Sequence, residues 1–415
     1  MRYDYGIDCV ISGMGIVSPI GNDCATVRNS LKNGCGGISR SHFTLNEKVI
    51  SCNAGRVKNI PIENYIEKKK LRYIPCSVQY AIVAAHEALN DAELNDHGVG
   101  EGISDIAVVL GSAFCSLEDP CFFYRDALKD GYRYVNPSLF PNIMPSTSAS
   151  LLSIYLSLKG GIQTMVAGNV SGLDAIDAAI QMIQSQNNHI VLAGGVDALS
   201  TELIACLMNS NPAMDCSGSD IQAPYSRERK GFYPAEGAVF FVMESAAHAL
   251  KRGAKPRAHL SRISRSVPGT TGDRMSSAAC MREVMRSALT SKDGGNKNVN
   301  YILSAANGSV KEDALEAQAI HQLATHGISP PVTAIKSYTG EMFGAGACMQ
   351  MAGALLDMEQ SVLTPVHGLA TVAPDLPPLP LVTSRVEADI ETVLVHATDI
   401  QNGSSAITLK RYREK

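Results

Sequence analysis

Short apolar runs closed by glycine or proline alternate along this chain with alanine-rich stretches of helical spacing. The apolar runs predict strands at 8–12, 106–110, 163–167, 189–193, 238–243, 258–265, 301–305, 392–396 and 406–410. Apolar residues recurring at three and four positions predict helices at 76–93, 146–158, 173–184, 246–252, 281–289, 313–324 and 344–356, with another starting near Asp23. Lys159-Gly160-Gly161 closes the helix at 146–158, as glycine does at a helix C-terminus. Segments 292–300 and 371–380 read as loops, the second stiffened by its prolines. Strands alternating with helices throughout predict a layered α/β fold. The order of elements repeats after about residue 250 although no sequence repeat is visible, so two fused βα halves, 1–250 and 251–415, are expected.

Composition narrows the function. The chain has 415 residues, 45% of them hydrophobic and only 18% charged, enough to bury a large core. A net charge of −4 argues against a phosphate-tracking surface, so no nucleic-acid partner is expected. A local basic patch for an acidic protein is still open. Lys68, Lys69, Lys70 and Arg72 are candidates by charge, or a solvated helix face. Eleven cysteines show no CxxC and no cysteine–histidine spacing, which predicts reduced, buried thiols, no metal and no cofactor. The N-terminus enters a strand directly, and no window reaches about 18 continuous apolar residues, so a cytoplasmic protein with no membrane segment is expected.

Several blocks carry a family resemblance. They are ISGMGIVSPIGN, VLAGGVDALS, residues 224–260 (PYSRERKGFYPAEGAVFFVMESAAHALKRGAKPRAHL) and AIKSYTGEMFGAGACMQMAGAL. In this order they resemble the β-ketoacyl synthases of the thiolase superfamily, which implies a thiolase-like α/β fold of five layers, αβαβα. Such an enzyme holds its acyl chain on a cysteine at a strand-to-helix turn, where the helix N-terminus favours the thiolate. Two histidines then hydrogen-bond the thioester carbonyl and the enolate formed on decarboxylation. In TMVAGNVSGLDAIDAAI the turn is kept, but Asn169 stands at the cysteine position. Ser171 is the nearby hydroxyl, two residues out of place, and its expected role is packing. In YILSAANGSVKEDALEAQAI, Asn307 replaces the first histidine, with Gly308 and Ser309 in the glycine and threonine places, and the short spacing to Asp313 predicts a rebuilt loop. In GEMFGAGA, Glu341 replaces the second histidine, downstream of the matching Lys336, and an ion pair between these two is expected. In DIQNGSSAITL, Gln401 stands where the family has a gating phenylalanine, and Gly403 survives from its glycine cluster. No catalytic residue is therefore assigned.

A synthase scaffold without its thiol resembles the chain-length factor, the β subunit of type II polyketide synthases. The resemblance implies a heterodimer with an active ketosynthase α subunit and a carrier protein bearing phosphopantetheine. It places the dimer strand at Gln163, Thr164, Met165 and Val166, whose apolar segment as a bare edge would aggregate. It also places a chain-length channel at Leu117, Pro120 and Tyr124, one helical face by their spacing, with Phe114 and Phe123 as further candidates. Plain dimer packing is the alternative for each of these. Three rival functions are weighed: a nucleophile at Cys115, a malonyl-carrier-protein decarboxylase supplying a starter unit, and a non-catalytic homodimeric scaffold. An aromatic polyketide and an aryl polyene suit the architecture equally.

Overall fold

The computed structural model describes residues 7–45, 47–94, 105–210, 214, 220–267, 274–290, 298–324, 327–399 and 403–413. Its strands are β1 (Cys9–Val17), β2 (Ile38–Leu45), β3 (Lys48–Gly55), β4 (Ala107–Gly111), β5 (Ile162–Met165), β6 (Ile190–Asp197), β7 (Gly237–Ser245), β8 (Ala258–Leu260), β9 (Ser264–Ser266), β10 (Tyr301–Leu303), β11 (Val332–Thr333), β12 (Val362–Leu363), β13 (Val386–Glu387), β14 (Thr392–Thr398) and β15 (Ser404–Arg411). Its helices are α1 (Cys24–Asn33), α2 (Lys68–Leu71), α3 (Cys76–Asp91), α4 (Glu118–Asp130), α5 (Thr147–Tyr155), α6 (Ser171–Gln184), α7 (Thr201–Ser210), α8 (Ala246–Lys251), α9 (Arg274–Leu289), α10 (Val310–Ala324), α11 (Lys336–Thr339) and α12 (Gly346–Gln360).

The main sheet runs β11-β10-β14-β15-β8-β1-β7-β6-β4-β5, with β9 against β15. Alternation along each strand shows how it is layered. Val109, Val191, Val239, Phe241 and Met243 point to one core, and Val108, Leu110, Leu192, Phe240 and Val242 to another. In the other leaf, Tyr301, Val393, Val395 and Ile407 point to that first core, while Ile302, Leu394 and Ala406 face a third. The shared core is filled by α6 and α12. Helices α3 and α5 cover the outside of the leaf β1-β7-β6-β4-β5, and α9 and α10 cover the outside of the other. Five layers, α-β-α-β-α, result. Because both leaves are covered on both faces, their strands read as continuous apolar runs.

The middle layer is dry, and its polar groups are anchored individually. Helix α12 is buried from Gly346 to Met358. Gln350 Nε2 donates to the carbonyls of Ser304 (2.7 Å) and His396 (2.8 Å). Asp357 accepts from Tyr301 (2.9 Å) and Thr364 (2.6 Å). At the end of β6, Asp197 accepts from Ser112 Oγ (2.7 Å) and from the N–H groups of Ala113 (2.9 Å), Phe114 (3.0 Å) and Gly344 (2.8 Å). That one carboxylate joins β4, β6 and the turn at 343–345. Burial pushes its pKa up to about 6 against these four donors.

Some elements differ from expectation. The run 258–265 is not one strand: Ser261 Oγ accepts the Thr408 N–H at 2.9 Å and breaks the ladder between β8 and β9. Hairpin β2–β3 and helix α7 went unpredicted, and the helix expected at 281–289 begins at Arg274. The expectation of buried thiols holds for Cys9, Cys52 and Cys348, whereas Cys35, Cys76 and Cys206 are exposed. No disulfide joins the described cysteines. Among the described residues no helix is long and apolar enough to cross a membrane.

Close backbone approach fixes the middle layer. A Cβ on Gly195 would lie 2.2 Å from Gly344 O, and one on Gly172 would lie 2.4 Å from the same atom. Gly195→Ala is therefore expected to destabilise the fold by about 1–3 kcal/mol through overpacking, whereas Gly403→Ala, where a Cβ would make only ordinary contact with Asp399 Cβ at 3.7 Å and the φ is not left-handed, should change stability by about 1 kcal/mol or less. Denaturant midpoints of the two variants check the order.

Candidate functional site

The turn between β5 and α6 is built by its own side chain and by a distant loop. Gly168 adopts a left-handed φ of +66°, which glycine takes without strain. Ser171 Oγ accepts from Ala167 N–H (2.7 Å) and donates to Gly168 O (2.6 Å), so this hydroxyl closes the turn. It is a structural clasp, in line with the expected packing role. Asn169 is buried, and its Oδ1 has no hydrogen-bond partner among the described residues. Its backbone N–H donates to Asp399 Oδ1 at 3.0 Å. In a thioester enzyme that N–H would face the developing oxyanion. Here a carboxylate occupies its donor direction. Asp399 was missed in the sequence; its signal was an acidic residue opening the DIQNGSS loop, close to the family's glycine cluster.

Asn307, Glu341 and Lys336 come together. Glu341 Oε2 accepts from Lys336 Nζ at 2.7 Å and from Asn307 Nδ2 at 2.8 Å. Both charged side chains are almost fully buried, 3% and 1% exposed, so the expected ion pair is present as a sealed one. Asn307 Oδ1 accepts the Ser309 N–H (3.0 Å), an Asx-type turn, and Gly308 takes φ +101°. The loop at 307–309 hangs from Asp313, which accepts from the N–H groups of Asn307 (3.1 Å), Gly308 (3.3 Å) and Tyr225 (2.9 Å). Burial pushes the Asp313 pKa up to about 7, opposed by the Tyr225 N–H and the Arg229 guanidinium. Glu341 Oε1 has no partner among the described residues.

Two further groups, His396 and Cys115, are engaged elsewhere. His396 is fully buried, with Nδ1 2.5 Å from Glu316 Oε1 and Nε2 2.8 Å from Ser404 Oγ. It lies on the strand parity of Leu394, the side covered by α9 and α10, so its imidazole locks the outer layer. Cys115 sits at a left-handed φ of +55°. Burial, with the Asp197 charge behind it, pushes its thiol up to about 11, the wrong direction for a nucleophile.

The remaining candidates separate. Phe114 and Leu117 pack on the satellite core of Leu203, Leu207, Phe232 and Phe343, with the Phe114 and Phe343 rings edge-on at 5.0 Å. Pro120 is half-buried in the first turn of α4, and Tyr124 is 60% exposed and edge-on to Phe123 at 5.7 Å. Gln163, Thr164 and Met165 lie on β5, the last strand of the sheet, with Val166 just beyond it; Ile162 is 44% and Val166 53% exposed. Lys68 pairs with Glu63, and Lys69 and Lys70 both pair with Glu67, so this basic patch is partly neutralised from within. Arg72 stacks on Tyr73. Gln401 lies outside the described residues.

Removing one member of the sealed pair strands the other. Glu341→Ala is expected to cost about 3–5 kcal/mol by leaving Lys336 buried and unpaired, and adding Lys336→Met should recover most of it. Chemical denaturation of the single and double variants checks this; unchanged stability in Glu341→Ala would show that the pair holds nothing.

Comparisons with known proteins agree with this architecture. The β-ketoacyl synthase N-terminal domain matches residues 8–249 and the C-terminal domain residues 263–370. A 3-oxoacyl-[acyl-carrier-protein] synthase 2 of Staphylococcus aureus is 30% identical over 379 residues, 88% of this chain and 91% of that protein. Nodulation protein E of Rhizobium leguminosarum bv. trifolii is 28% identical over 366 residues, 86% of this chain and 87% of its own length. Among solved structures, the ishigamide ketosynthase/chain length factor superposes with a TM-score of 0.85 at 22% identity, covering 98% of this chain and all of that one. The Xenorhabdus doucetiae ketosynthase ApeO in complex with its chain length factor ApeC superposes at 0.78 with 16% identity, over 99% of this chain and 100% of that one. The fold is the thiolase-like ketosynthase fold, and the chain belongs to the β-ketoacyl synthase family.

Proposed function

We propose that this chain is a ketosynthase-like subunit without condensing activity of its own, which pairs with a cysteine-bearing ketosynthase and shapes the channel that limits chain length. The observation that carries the reading is the fate of the hydrogen-bond donors. The Asn169 N–H is directed at Asp399, and Asn307 Nδ2 and Lys336 Nζ are each held against Glu341. Of the site atoms left without partners, Asn169 Oδ1 and Glu341 Oε1 are acceptors, and Ser309 Oγ is the one hydroxyl. A thioester carbonyl gaining negative charge needs donors, so acceptors beside it raise the barrier. The same count weighs against the decarboxylase reading, whose enolate needs the same donors.

Pairing is supported by the surface around the site. β5 ends the sheet, and Phe122, Tyr124, Leu128, Tyr132, Tyr134 and Phe140 are all exposed on α4 and the segment after it. An apolar face of this kind beside a bare strand edge marks an association surface. Two structural neighbours are described as a ketosynthase with its chain length factor, and a third as a type II ketosynthase with its acyl-carrier protein. A ketosynthase α subunit and a phosphopantetheine-bearing carrier protein are therefore the proposed partners. A homodimer through the same edge is the competing assembly.

Co-expression with a cysteine-bearing ketosynthase separates these. The pair should purify one-to-one, and within it Leu117→Ala or Tyr124→Ala should lengthen the product read by mass spectrometry. A stable homodimer that ignores the ketosynthase would overturn the pairing, and unchanged length in an intact complex would overturn the channel assignment. The inactivity is tested by Asn169→Cys. With Asp399 on the turn and Glu341 sealed against Lys336, the restored thiol should give no condensation in a carrier-loaded malonyl assay; measurable condensation would show that the thiol alone was missing.

A further inference from the structure

Helices α4 and α7 meet along one stripe of each. Arg125 Nη2 bonds Glu202 Oε1 at 3.2 Å, and its guanidinium lies 5.2 Å from the centre of the Phe122 ring, so its place is held from two sides. Glu118, Cys121 and Arg125 are spaced i, i+3, i+7 on α4, while Glu202 and Cys206 are spaced i, i+4 on α7. One turn back along α4 from Arg125 is Cys121, and one turn on along α7 from Glu202 is Cys206, and the two thiols interact electrostatically. The electrostatics agree: after burial, the Glu202 carboxylate acts on both Glu118 and Cys121, and Cys206 acts on Cys121 as well. Both residues stand as thiols, Cys206 exposed and Cys121 half-buried. The degenerate site uses neither.

We propose that Cys121 and Cys206 form a dithiol modification site that a glutathione-type disulfide oxidant closes into an internal disulfide, stapling α4 to α7. The exposed Cys206 thiolate attacks oxidised glutathione, forming a mixed disulfide and releasing one glutathione thiolate. The Cys121 thiolate then attacks the Cys206 sulfur, the protein disulfide forms, and a second glutathione thiolate leaves. Two thiol protons are lost from the protein and taken up by the two leaving thiolates. Burial and the Glu202 charge hold the Cys121 thiol above its ordinary range, with Arg125 opposing them, so this second step quickens as pH rises. The staple has a structural consequence. No residue of α4 is fully buried, whereas α7 is rooted in the satellite core through Leu203, Ile204 and Leu207. The bond moors a loosely held helix to a fixed one.

The test treats the full chain with oxidised glutathione at mildly alkaline pH and maps its peptides without reduction. The wild type should lose two hydrogens in mass, reversibly with dithiothreitol, and yield a linked peptide pair containing Cys121 and Cys206. Cys121→Ser should stop at glutathionylated Cys206, Cys206→Ser should lose the link entirely, and Cys280→Ser should behave as wild type. A wild type that also stops at glutathionylated Cys206, or a link that survives Cys206→Ser, overturns the proposal. Retention on an immobilised trivalent arsenical, which needs two thiols within reach, gives an independent reading: wild type bound, both single serine variants lost. Failure of the wild type to bind would equally overturn it.

Discussion

Everything in the middle layer follows from its dryness. Helices α6 and α12 lie between two sheet leaves, and a polar group placed there must find its partner inside the protein, at a cost of about 1–3 kcal/mol if it does not. Asp197 is the clearest case, because its four donors come from the segment after β4 and from the turn at 343–345, and set how closely both approach β6. Glycines at 172 and 195 complete the arrangement by letting backbone meet backbone at Gly344. The turn that presents Asn169 is aimed by this packing and needs nothing from the residue at position 169 itself. A chain can therefore change that residue and keep the fold.

The same constraint explains how Glu341 is accommodated. A carboxylate at 341, nearly sealed from solvent, is tolerable only with a cation and a further donor against it. Lys336 and Asn307 supply both, on one oxygen. The Asp399 carboxylate on the Asn169 N–H completes the set. Each carboxylate thus engages a donor of the site. On the proposed reading, the site is acceptor-rich where condensation would need donors.

Much of this was legible in the sequence, for identifiable reasons. Strands buried on both faces are continuous apolar runs, so 106–110, 189–193 and 238–243 stand out, and glycine-bounded helices such as 344–356 stand out beside them. The Lys336–Glu341 pair followed from the family resemblance, which set Glu341 at the second histidine position downstream of the matching Lys336. Other features depend on contacts the sequence does not display. β2 and β3 pair with each other and alternate weakly, since only part of their surface reaches the satellite core. The Ser261 hydroxyl that splits β8 from β9 acts through Thr408, far along the chain. Asp399 acts across more than two hundred residues, and its one local mark is its place at the opening of the DIQNGSS loop.

The proposed channel residues lie at the opposite extreme from the sealed middle layer. Leu117 and Phe114 are held by the satellite core and keep their places in the single chain. Tyr124, one face further along α4, is exposed beside Phe123, and α4 buries none of its residues fully. A side chain with no packing on one side is free among its rotamers, and ordering it costs entropy that only a second surface can offset. A wall built from Leu117, Pro120 and Tyr124 is thus half fixed by this chain and half fixed by whatever covers α4. In the proposed assembly, chain-length control is therefore a property of the interface: this chain contributes a base held at Leu117, and the proposed partner sets where the outer end of the wall comes to rest.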